Sequence, residues 1–131
     1  MQDRPTVQEL LAAVRAFLEK DVVPALDGPR RFHALVAANV LAIVGRELES
    51  EEAELAAEWR RLATLPGAAA VDPPPGLQAL RAAVRDATAT LADRIRRGDA
   101  DAGSFREAVR VHLRETVLAK LRVANPRLLG T

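Results

Sequence analysis

From Phe32 to Val44 the chain reads Phe-His-Ala-Leu-Val-Ala-Ala-Asn-Val-Leu-Ala-Ile-Val, interrupted inside only by His33 and Asn39. A helix that is apolar around almost its whole circumference has no face suited to water and calls for cover on all sides. The other amphipathic stretches carry one apolar stripe each, and wrapping them around this segment is the simplest way to bury them all. The expected architecture is all-α: a single-domain bundle over residues 1–131, with about five helices around a central apolar helix at about 30–48.

The remaining elements follow from local signals. Thr6-Val7-Gln8-Glu9 has the form of a capping box and opens a first helix, whose Val7, Leu10, Leu11, Val14, Phe17, Leu18 and Val22 recur at helical spacing. Pro24 and Asp27-Gly28-Pro29 break it and lead into the central helix. Ser50 is a candidate cap for a third helix carrying Leu55, Trp59 and Leu62; the alternative is one bent helix continuous with the central one. A connector with four prolines spans about 65–76 and reads as stiff and extended. A fourth helix, about 77–97, places Leu77, Leu80, Val84, Leu91 and Ile95 on one stripe and stops at Gly98. Ser104-Phe105-Arg106-Glu107 is a second capping-box pattern, opening a last helix that runs to about Ala124.

Composition narrows the function classes. The chain has no cysteine, which excludes disulfides, thiol catalysis and Cys-based metal sites. No apolar run reaches the roughly 18 to 20 residues of a membrane span, and the N-terminus lacks the pattern of a secretory signal, so a cytoplasmic location is expected. The net charge of +1 is uneven: residues 76–131 hold eleven basic and six acidic side chains. Such a surface suits phosphates, a CoA moiety or an acidic partner, with solvated outward arginines as the plainer reading. Nucleic acid is not expected, because the few aromatic side chains lack a basic, stacking-type context.

Two polar spots stand out. Asn39 shares a helical face with Phe32 and Arg46 and is expected to be buried; an unpaired amide there would cost about 1 to 3 kcal/mol, so it calls for a partner, either internal or a ligand. In the last helix His112 and Thr116 fall inside the arc of Phe105, Ala108, Val109, Leu113 and Val117. The sharper expectation joins Asn39 to His112 or Thr116 across a helix interface. Arg30, His33, Arg46, Arg110, Arg114 and Arg127 form the candidate partner or anion surface. There is no phosphate loop, no Glu-x-x-His pair, no His-Glu-x-x-His and no serine in a nucleophile elbow. Accordingly no enzyme activity, cofactor or metal is expected.

Met-Gln-Asp-Arg-Pro-Thr at 1–6, Arg-Phe-His-Ala-Leu-Val-Ala-Ala-Asn-Val-Leu-Ala-Ile-Val at 31–44, and His-Leu-Arg-Glu-Thr-Val-Leu-Ala-Lys-Leu with Asn-Pro-Arg within 112–127 resemble a family of small uncharacterised bacterial helical proteins. Members of that family are encoded beside aminoglycoside-phosphotransferase-like kinases and acyl-CoA dehydrogenase-like proteins. The resemblance implies an accessory subunit of such a kinase in hydroxyacyl-CoA catabolism, with no catalytic motif to transfer. The alternative is a stand-alone bundle that binds an acyl or CoA-like ligand near Asn39, His112 and Thr116. A homo-oligomer is compatible with either.

Overall fold

A computed structural model describes residues 3–69 and 71–130. Among them the α-helices are α1 (Val7–Phe17), α2 (Gly28–Ala63), α3 (Leu77–Arg96) and α4 (Gly103–Ala124), four rather than about five, with no strand. Ser50 is interior to α2, so the continuous-helix alternative holds there: no proline or glycine interrupts Leu48-Glu49-Ser50-Glu51-Glu52, and a serine without a breaker does not start a new helix. The chain divides into two compact units, Met1–Glu49 and Ser50–Thr131, each described by itself.

In the first unit, α1 starts on a complete capping box. The Thr6 hydroxyl accepts from the Glu9 amide at 3.2 Å, and the Glu9 carboxylate accepts from the Thr6 amide at 2.7 Å. The helix then loosens into a π-helical turn (Leu18–Val22) and a 3-10 turn (Val23–Ala25) ahead of Gly28. The returning α2 meets α1 along its small residues. Gln8 donates to the Gly45 carbonyl at 2.8 Å, and Gln8, Leu11 and Ala12 lie around Leu41, Ala42 and Gly45. A methyl on Gly45 would come within 3.2 Å of the Gln8 side-chain oxygen and press on this contact.

This arrangement overturns the central, enclosed position expected for the apolar helix. Phe32, Leu35, Val36, Val40 and Val44 are 39 to 63% exposed, and of the large apolar run only Ala38 is buried. The reason is geometric: a single helix covers a single side of α2, the side bearing Ala38, Ala42 and Gly45, and leaves the larger side chains outward. Val7, Leu10, Val14 and Phe17 of α1 are likewise exposed.

The second unit holds the packed core. Leu62 of α2, Leu65 just beyond it, Leu80, Val84 and Leu91 of α3, and Phe105 and Val109 of α4 form one buried cluster, with Leu55, Ala56, Trp59, Ala87, Ala100 and Ala108 against it. α3 ends in a Schellman motif: the Gly98 amide donates to the Ile95 carbonyl at 3.0 Å and the Asp99 amide to the Arg94 carbonyl at 3.1 Å, with Gly98 at φ +90°. The serine cap expected for α4 is not made. The helix begins at Gly103, its N-cap is Ala102, and Ser104 lies already inside the first turn.

Candidate functional site

α4 turns an unexpected side inward. Phe105, Val109, His112 and Thr116, spaced four, three and four, are buried, whereas Leu113 and Val117 are outward at about half exposure. His112 and Thr116 thus continue the buried stripe, as their place in the apolar arc suggests. Arg61 of α2 reaches them, its guanidinium donating to the Thr116 hydroxyl over a long 3.5 Å. His112 is 3% exposed, and its Nδ1, like Nε of Arg61, lies buried without a hydrogen-bond partner.

Burial holds the His112 pKa below its ordinary value of 6.5; the positive Arg61 adds to this and the negative Glu58 opposes it. The imidazole is therefore neutral at pH 7. Beside it a groove of about 350 Å³ is bordered by Arg61, Thr64, Glu107, Ala108, Val111 and His112. Its chemistry is that of a core polar contact with one cation at the edge: Arg61 and Thr64 can meet an anionic or hydroxyl group, while the unpaired His112 nitrogen is sealed from it.

Asn39 is exposed in the first unit, on the outward side of α2, where its amide is open to solvent. The expectation of a buried Asn39 fails for the same reason as the enclosed helix: nothing in its unit covers that side. His33 and Arg30 are exposed at the start of α2, with the His33 ring 5.9 Å from that of Phe32, and Arg46 is half-buried.

Arg110, Arg114 and Arg127 are exposed in the second unit. The basic surface there is largely neutralised from within. Arg81 pairs with Glu51, Arg94 and Arg97 with Asp99, Arg96 with Asp93, Arg110 with Glu107 and Arg122 with Glu54. The Arg81 hydrogen bond lowers the Glu51 pKa. Arg114, Lys120 and Arg127, with Arg60 and Arg106, are exposed basic side chains outside these pairs. Among the described residues no group of three or more acidic or histidine side chains could hold a metal ion.

Two side chains matter that their sequence context did not mark. Trp59 donates to the Val71 carbonyl at 3.1 Å, and Arg94 donates to the Pro66 carbonyl at 2.7 Å while lying 3.8 Å over the Phe105 ring and 3.3 Å from Asp99. Together they pin the Pro-rich connector to the helices and enclose an apolar cleft of about 270 Å³ lined by Trp59, Leu62, Leu91 and Arg94 among others. An Arg on α3 ten residues after Val84 reads as a rim residue only; of its partners Asp99 is five residues away, but Pro66 and Phe105 are distant in sequence. Ala70, within the connector, lies outside the described residues.

The fold and these surfaces define a small all-helical protein in which no helix among the described residues is long and apolar enough to cross a membrane. Residues 24–128 match the model of a domain of unknown function, DUF6285, and the chain belongs to that family. No curated protein and no solved structure matches the chain.

Proposed function

We propose that this chain is a non-catalytic interaction protein, and that its partner is the phosphotransferase-like kinase of hydroxyacyl-CoA catabolism implied by the resemblance at residues 31–44 and 112–127. The observation that carries the interaction reading is the apolar surface of the first unit. Ten large apolar side chains of α1 and α2, from Val7 to Leu48, stand outward and together expose on the order of 1,000 Å². Scattered exposed leucines and valines need no explanation, but their concentration on one two-helix unit marks contact surface.

The test is co-expression with a phosphotransferase-like kinase, the one encoded beside the gene if one is there, followed by co-purification and an assay of kinase activity on hydroxyacyl-CoA. A stoichiometric complex whose activity falls when this chain is omitted is the expected result. No complex and unchanged activity would contradict the accessory-subunit reading. The alternative, a small-molecule-binding bundle, draws on the groove beside Arg61, Thr64 and His112, and a thermal-shift titration with acyl-CoA is its test.

A further inference from the structure

We propose that the cleft between the Pro-rich connector and the helices of the second unit binds a small carboxylic acid with an apolar body, the carboxylate on Arg94 and the body against Trp59 and Leu91. The site is separate from the groove beside His112 and stands whether or not the chain has a kinase partner.

Size is the first argument. Packed interiors leave few voids larger than a water molecule, yet this cleft of about 270 Å³ lies against the buried cluster itself, with Leu62, Leu65 and Leu91 in its wall. An apolar cavity of roughly 150 Å³ already takes up benzene, so in proportion this one suits a molecule of about ten non-hydrogen atoms. Two features keep it from closing. Ala63, Ala68, Ala69 and Ala87 line it with short side chains where leucines would fill the space. The connector carries Pro66, Pro73, Pro74 and Pro75, whose rings fix the backbone, and it is held at two points by the Trp59 bond to the Val71 carbonyl and the Arg94 bond to the Pro66 carbonyl.

Charge is the second argument, and it names the head group. Arg94 is the single charged side chain lining the cleft among the described residues. Its Nε meets Asp99 at 3.3 Å and its Nη1 the Pro66 carbonyl at 2.7 Å, which leaves Nη2 without a hydrogen-bond partner among those residues. Gly67, at φ +79°, puts no side chain over that nitrogen; a Cβ there would stand 3.5 Å from it. Arg97 also reaches Asp99, at 3.7 Å, so two guanidiniums share one carboxylate. A ligand carboxylate answers that surplus of positive charge and gains a charge-assisted hydrogen bond, which an uncharged ligand does not.

Trp59 is the chain's one tryptophan and there is no tyrosine, so intrinsic fluorescence reports on this cleft. Titrating the full chain with phenylpropionate and with octanoate should give a saturable change with a Kd on the order of 100 µM, the range open to ligands this small. The corresponding alcohols, phenylpropanol and octanol, should bind about tenfold more weakly for want of the charge. Ala87→Leu on α3 and, separately, Ala68→Leu on the exposed connector fill the space and should abolish the change, with the melting temperature of the unliganded protein unchanged or raised. No saturable change with either acid into the low-millimolar range, alcohols that bind as tightly as the acids, or binding that survives both leucine variants overturns the proposal.

Discussion

Leu91 and Val40 are both aliphatic residues in the middle of long helices, yet Leu91 is 5% exposed and Val40 is 49% exposed. Leu91 sits where α3 meets the end of α2 and α4, and three helices can enclose a shared centre. Val40 sits in a hairpin, where one neighbour covers one side of its helix and no more. Hydrophobic content is thus a statement about what a residue needs, and the number of elements around it decides whether the chain itself supplies it. In the second unit the chain does. In the first it supplies cover for Ala38 and Gly45 and leaves Phe32, Leu35, Val36, Val40, Val44 and Leu48 exposed.

The contrast can be broken most sharply by truncation at the two positions. Leu91→Ala should lower unfolding free energy by about 2 to 5 kcal/mol, the usual cost of emptying a core site, whereas Val40→Ala in dilute protein should change it by less than about 0.5 kcal/mol; urea denaturation of both reads the difference. Equal losses would mean that the two sites are packed alike. Next comes Arg94→Ala, which removes the Pro66 hydrogen bond and the stacking on Phe105 and should cost about 1 to 2 kcal/mol, with increased protease cleavage in the connector.

Thr6→Ala removes the N-cap of α1 and should cost about 1 kcal/mol, seen as faster amide exchange in α1 while the amides of α3 are unaffected. The second unit should also respond to acid through His112. Because burial depresses its pKa, the unfolded chain takes up this proton first as pH falls below 6.5, so the stability it contributes is complete above that value and lost as pH drops through the lower folded value. Denaturation midpoints between pH 8 and pH 5 should fall accordingly, and less so in His112→Leu. Smallest of all, Arg85→Ala breaks a fully outward pair with Asp86 and should move stability by no more than a few tenths of a kcal/mol in a thermal melt.

What the sequence discloses follows the range of the interactions involved. The capping box at Thr6, the stop at Gly98 and the stripe of Leu80, Val84 and Leu91 are legible because each depends on residues within a few turns. The fate of Val40 is not, since it depends on how many helices return to that segment. Ser50 misleads because a capping residue signals a start only where the preceding helix is broken. On α4, Leu113 and Val117 compete with His112 and Thr116 for the inward side, and periodicity alone ranks the aliphatics first; the Arg61 contact with Thr116, fifty-five residues away, leaves no local trace. The Arg94 and Trp59 contacts with the connector are likewise long-range and leave no local trace.

The account turns on whether the outward side of α2 is a surface awaiting cover. Hydrogen–deuterium exchange of the full chain, compared alone and in complex with the proposed kinase partner, reads it directly. Amides from 32 to 48 should gain protection in the complex, while those of Leu80 to Leu91 and Phe105 to Thr116, whose packing is internal to one chain, stay constant. Protection of 32 to 48 that is already equal to that of the core in the free protein, and does not change in the complex, would contradict the account.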